Sequence, residues 1–359
     1  MKKKFNYIDR IKGERNISLD IIRIIALFLV LFTHTGRIGS KIYTDLEPRG
    51  IYYIFCLTLD TTRMLAVPLF LMISGILLLD KKESFKVIWK KRITRILIVI
   101  LVFSLIQEFF YGSVDLSKAF FHEFLINVCA GSIRGSYWYL YLYLAYLLLL
   151  PILRNIADRM DEKFFLYIIF LSTIADLLAI IPNWTGKYIS LYEYIAIING
   201  YAFLFPLLGY SSYQYLSKKK LKFIQYMVLI LIFLSINLFL SYLMHNEHKA
   251  TGIWTEGYIW RLTALLTVPV FMVTYDITRR FVIPQRVKCV IAIISESCFG
   301  IYLSENILEK YTIKIYEWCY ELTGCTLWSC FIYLLTTMII GTLFFHIIKK
   351  YLPGVVSIL

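Results

Sequence analysis

Arg15–Gly36 reads RNISLDIIRIIALFLVLFTHTG, apolar enough to cross a bilayer yet carrying Asp20, Arg23 and His34. Ionisable groups inside a membrane helix are costly and are functional candidates by default. The spacing is regular. Arg23 and His34 stand 11 residues apart, which at about 100° per residue is roughly three turns plus 20°. Asp20 falls about 40° to the other side of His34. The three share one helix face, with Arg23 and His34 about 16 Å apart along the axis. A polar stripe directed from one membrane surface toward the other suggests a path.

The composition around that stretch agrees with a membrane reading. The 359-residue chain is 59% hydrophobic and only 17% charged, and its mean hydropathy is +0.68. A soluble chain of this length would be nearer about 45–50% apolar. The fold class expected is therefore all-α and integral to the membrane, one polytopic domain over residues 1–359 with a short cytoplasmic segment at 1–16. The net charge of +14 does not point to nucleic acid, because the basic residues sit in alternate loops. The seven cysteines form no C-x-x-C pair and fit no disulfide framework. Most lie in or beside apolar runs as small buried hydrophobes, and a Cys319–Cys325 bridge stays open. Lys2–Lys4 before an apolar run resembles a signal peptide, but that run is too long and no A-x-A-like site follows.

Ten segments are long enough to span: 17–36, 51–79, 93–111, 136–153, 164–182, 195–216, 222–244, 258–276, 290–308 and 327–348. With the N-terminus inside, 26 of the 38 Lys and Arg fall in inner segments and 9 in outer loops. That asymmetry places both termini in the cytoplasm. Trp and Tyr cluster near span ends, as at Tyr137–Tyr139 and Trp254–Trp260, like an aromatic belt. Pro68 and Gly75 predict a kink or break in the second span. Residues 118–130 are too short and polar to span and read as an interfacial helix. The stretches 309–326 and 245–257 read as outer loops.

Several residues can carry chemistry. His34 suits acid–base work, since an imidazole accepts a proton from a hydroxyl and later returns it. The plainer alternative is an interfacial His bonded to a neighbouring helix. Asp20 and Arg23, three residues apart, are either a local ion pair or an Arg poised for an anionic ligand. Arg92 and Arg95 lie one turn apart in the most basic loop, Asp80–Arg95, and offer two guanidinium forks for phosphate. A positive-inside loop beside anionic lipid is the bland reading. Arg63 follows Asp60 within the second span, as a packing pair or a site residue. Glu305 lies near the outer end of the ninth span, at a depth like that of His34. A His–carboxylate pair there would orient the ring. Glu296 and Arg261 are further charges without assignable partners, and Trp138 with the tyrosines of 137–146 reads as packing and belt. No Walker loop, Rossmann glycine pattern, H-E-x-x-H or G-x-S-x-G occurs.

The chain resembles the membrane acyltransferase-3 family of bacterial carbohydrate O-acyltransferases. The resemblance rests on SLDIIRIIALFLVLFTH, with its Arg, ten residues, His pattern at Arg23 and His34, and on VPLFLMISGILLL. It continues through the Arg-x-x-Arg at Arg92 and Arg95, YWYLYLYLAYLLLLPIL and SCFGIYL, in order over nearly the whole chain. It implies a ten-helix domain in the bacterial cell membrane that moves an acyl group, usually acetyl, from cytoplasmic acyl-CoA to a hydroxyl of an extracytoplasmic or lipid-linked glycan. Acyl-CoA is then a co-substrate and no cofactor is held permanently. Partners are the glycan acceptor, membrane lipids and, where transfer is relayed, a separate transferase or glycan-synthesis protein. The resemblance carries over His34 as base and Arg23, Arg92 and Arg95 toward the donor; the residues themselves add Glu305 and Asp20 as candidates beside the base and Arg63 toward the donor. Arg63 or Arg261 would serve the oxyanion. Where many members have His-Pro after the GIYL segment, this chain has Glu305–Asn306, and the attached esterase-like domain of many relatives is not in it. Two rivals remain: an exporter of a glycan or lipid-linked intermediate, and a non-catalytic sensor module related to the acyltransferases.

Overall fold

The computed structural model describes residues 15–112, 117–131, 135–185, 190–191, 200–218, 222–251 and 262–351. Arg261, Trp254, Trp260 and both chain ends lie outside the described residues, as does residue 195, where the sixth span was expected to start. Within the described residues the regular structure is helical, and the protein is an all-α integral membrane protein. Among the described residues seven helical stretches are long and apolar enough to cross a membrane, including Ile17–His34, Gly50–Leu78 and Phe85–Tyr111.

The stretch that opened the sequence is helix α1 (Ile17–His34). Asn16 caps it by accepting from the Leu19 N–H at 3.2 Å, which satisfies one of the orphan donors of the first turn. Ala26 and Leu27 are fully buried at its centre. Helices α2 (Gly50–Arg63) and α3 (Ala66–Leu78) together form the second span. The expected break falls at Met64–Leu65. Pro68 lies just beyond it, in the first turn of α3, where its missing N–H costs no hydrogen bond.

Gly75 does not break the chain. It lets α3 lie against α9 (Tyr201–Lys218): a Cβ there would strike the Pro206 backbone, and one on Gly209 would strike the Met72 backbone. Small residues allow membrane helices this close approach. A single turn, α4 (Phe85–Val87), leads into a π-helical stretch, Ile88–Ile93, and then α5 (Thr94–Tyr111). The Thr94 hydroxyl donates to the Trp89 carbonyl five residues back, at 3.0 Å. Helix α6 (Lys118–Ala130) follows, as read from sequence, capped by Ser117.

The remaining helices are α7 (Trp138–Ala157), α8 (Glu162–Thr185), α10 (Phe223–Thr251), α11 (Thr263–Arg280), α12 (Gln285–Thr323) and α13 (Thr326–Tyr351). Two expected loops are corrected. The chain stays helical through 309–323, so that α12 has 39 residues. At 1.5 Å per residue it is about 58 Å long, against a hydrocarbon core of about 30 Å. Between Lys310 and Thr323 there is neither Pro nor Gly, and the helix stops where Gly324 takes a left-handed φ of 64°. Likewise α10 runs on past 244 to Thr251.

Around α1 pack α3, α11 and α12. Apolar side chains of α10 such as Leu231 and Phe239 remain exposed, as lipid-facing positions do when the surrounding solvent is itself apolar.

Candidate functional site

One cavity of about 990 Å³ is walled by α1, the α2–α3 break, the α4–α5 turn, α7 and α12. Arg23, Arg92 and Arg95 line it toward one end, and His34 and Arg63 toward the other. The residues singled out from sequence at 23, 34, 63, 92 and 95 are thus brought onto one continuous wall. Asp20 and Glu305 stand directly behind it.

At the basic end the arginines are held by carboxylates. Asp20 is 4% exposed and accepts from Arg15, from Arg23 Nη1 at 3.2 Å and from the Ser295 hydroxyl at 2.6 Å. Arg23 also donates to Ser295 Oγ at 2.8 Å. Asp20 therefore fixes Arg23, and it lies 14 residues from His34 on α1, about 21 Å along the axis. Glu296, on the cavity wall, binds Arg15 and Lys349.

Glu83 does the corresponding work for Arg92. It accepts from Arg92 Nε at 2.9 Å and Nη2 at 2.6 Å, and from Arg154 Nη2 at 3.1 Å. The Arg92 guanidinium, followed by that of Arg154, holds the Glu83 carboxyl down at about 2. Arg154 also donates to the Leu78 carbonyl at 3.0 and 3.1 Å, a group left without an intrahelical partner at the end of α3. Arg92 belongs to the π-helical stretch and Arg95 to the first turn of α5. Both reach the cavity across that junction; π-bulges are frequent at functional sites.

At the far end His34 is the last residue of α1, and its Nδ1 lies 2.5 Å from Glu305 Oε1. Glu305 is 5% exposed. A carboxylate on Nδ1 keeps the proton there and leaves Nε2 as the basic nitrogen. The helix segment that carries Glu305 is pinned to the 135–137 turn. The Tyr302 hydroxyl donates to the Ser136 carbonyl and the Tyr137 hydroxyl to that of Leu303, each at 2.5 Å, and Asn306 Nδ2 donates to Ser136 Oγ at 3.0 Å. Arg63, at the α2–α3 break, donates through Nε to Asp60, which is fully buried.

Residues read as packing turn out to line the cavity. Trp138, Tyr139 and Tyr143 face it from α7, Tyr139 and Tyr143 being one turn apart and Phe70 lying 6.0 Å from the Tyr139 ring. The i, i+4 spacing in WYLYLY was the available signal. Glu83 was missed outright, one of two acids, with Asp80, in a basic loop. All seven cysteines are free thiols, so Cys319 and Cys325 are not bridged.

Residues 16–346 match the family model described as an acyltransferase domain. No curated protein and no solved structure matches the chain. With nearly its whole length matched, the chain belongs to this acyltransferase-3 family and is a multi-pass membrane acyltransferase.

Proposed function

We propose that this membrane acyltransferase takes an acyl group, acetyl first among candidates, from acyl-CoA and places it on a hydroxyl of a cell-envelope or lipid-linked glycan. The observation that carries the reading is the single cavity with guanidinium groups at one end and a carboxylate-oriented imidazole at the other. The excess of Lys and Arg in the loops at the basic end argues that this end faces the cytoplasm of a bacterial cell, where acyl-CoA resides.

In this reading Arg92 and Arg95 grip the donor phosphates, because a guanidinium fork matches phosphate oxygens. The thin pantetheine arm passes Arg23 and the rings of Tyr139 and Tyr143 along the wall. His34 Nε2 takes the proton of the acceptor hydroxyl as its oxygen attacks the thioester carbonyl. Arg63 donates to the resulting oxyanion. Collapse breaks the C–S bond; the leaving thiolate takes the proton back from His34, and the ester and free coenzyme A depart. Glu305 keeps the ring oriented and stabilises its charged form. Asp20 acts only through Arg23.

Purified protein given labelled acetyl-CoA should release the free thiol and transfer or hydrolyse the label. His34→Ala should abolish both while the helical signal and elution position stay unchanged. Full activity in His34→Ala would overturn the assignment of the base. An exporter would instead move glycan with no need for acyl-CoA. Mass spectrometry of envelope glycans from cells with and without the protein identifies the acceptor.

A further inference from the structure

The loop that joins α3 to α5 carries five lysines: Lys81, Lys82, Lys86, Lys90 and Lys91. Loop charge retained on the inner face accounts for lysine at any of these positions. It does not account for their division, since Lys81 and Lys91 line the cavity and the other three do not. Among the described residues neither Lys81 nor Lys91 makes an ion pair, whereas Arg92 is engaged by Glu83 and Arg23 by Asp20. The other acid on this wall, Glu296, is taken up by Arg15 and Lys349. Two exposed ammonium groups therefore face the cavity mouth beside an arginine pair.

The two kinds of cation suit different phosphates. A guanidinium held by a carboxylate presents a fixed fork, fit for the paired oxygens of a pyrophosphate. Ammonium groups on flexible stems are strongly hydrated point charges, fit for a solvated monoester dianion. Coenzyme A bears both groups.

We propose that Lys81 and Lys91 form a second phosphate subsite at the cavity mouth, which takes the ribose 3′-phosphate of the donor while Arg92 and Arg95 hold its pyrophosphate. The proposal rests on the acyl-CoA reading given above. The subsite makes the enzyme discriminate between coenzyme A and carriers that lack the terminal monoester.

The test compares acetyl-CoA with acetyl-dephospho-CoA on the purified full chain in uncharged detergent. Wild type should favour acetyl-CoA by about fivefold in kcat/KM through a lower KM, the scale of two exposed charge pairs. In Lys81→Gln/Lys91→Gln the preference should vanish, with kcat/KM for the dephospho donor unchanged. Lys82→Gln/Lys90→Gln, from the same loop but off the cavity wall, should keep it. A preference that survives in Lys81→Gln/Lys91→Gln, or is missing from wild type, overturns the proposal. A lipid phosphate is the other source of such a dianion, so the series is repeated with phosphatidic acid in the micelles. An effect of Lys81→Gln/Lys91→Gln that appears only with that lipid, and equally for both donors, also overturns it. Turnover of neither donor by wild type would instead sink the acyl-CoA reading itself.

Discussion

At its basic end the cavity is lined by arginines that share their carboxylates with arginines off the wall, Arg92 with Arg154 on Glu83 and Arg23 with Arg15 on Asp20; at its far end one imidazole meets one carboxylate, His34 on Glu305. Exposure does not separate the ends: the Arg92 and Glu83 side chains are 23% and 24% exposed, Arg23 and Asp20 26% and 6%, His34 and Glu305 28% and 6%. Charge that is shared tolerates the loss of one member, because neighbours take up the remainder. A pair that shares neither member has no substitute, and removing His34 leaves the buried Glu305 uncompensated. On the function proposed above, binding is thus distributed over one end, and chemistry is concentrated at the other.

That contrast can be broken in order of effect. His34→Ala should lower kcat by about 10³-fold, the range of a lost general base, with KM for the donor unchanged. Single-turnover thiol release measures it, and a fall of less than tenfold would contradict a single-base site. Glu305→Gln should cost about a hundredfold in kcat, since it keeps the shape but loses the charge that holds His34; again KM should stand still. At the other end, Arg92→Ala should raise the donor KM by about tenfold, as for a lost hydrogen bond to a charged group. Arg92→Ala/Arg95→Ala should raise it further with kcat nearly intact. The effect should shrink as salt rises, because exposed charges are screened. A kcat defect with unchanged KM would erase the division between the ends.

The smallest effect is the most specific to pH. Glu83→Gln should raise the donor KM only about threefold, as Arg92 loses one partner and keeps its place in the helix. Glu83 in the folded protein titrates at about 2, below its ordinary 4.5. Its ionised form therefore stabilises the fold fully above about 4.5, and that contribution is lost as pH falls toward 2. The Tm of wild type should exceed that of Glu83→Gln at neutral pH, and the gap should close across that acid window. A gap that persists at pH 2 would mean that packing, and not charge, carries the difference.

What could be read from sequence divides along the same line. His34, Arg23, Arg92 and Arg95 announce themselves because ionisable residues within or beside apolar runs are rare and costly. Their shared wall was half visible: one helix period aligned Arg23 with His34, but no periodicity reveals which helices meet. The contact of Glu305 with His34 spans 271 residues and had only matched depth to suggest it. Tyr139 and Tyr143 were hidden by company, since aromatic residues near a span end are expected at the membrane interface in any case. The π-helical stretch at Ile88–Ile93 leaves the residue pattern unchanged while shifting which side chains face the cavity. The length of α12 was misjudged because charged residues past a span read as a loop, while helix propensity without a Gly or Pro carried on to Gly324.

Helix α12 has a consequence of another kind. Ser295, which bonds Arg23, and Glu305, which bonds His34, both belong to it, ten residues apart. Two rods, α1 and α12, are therefore riveted to each other at both ends of the cavity, over about 15 Å of helix rise. Such a frame acts as a fixed gauge. On the acyl-CoA reading proposed above, a thioester too close to its phosphates could not be gripped at one end and attacked at the other, so the protein would select its donor by reach before chemistry.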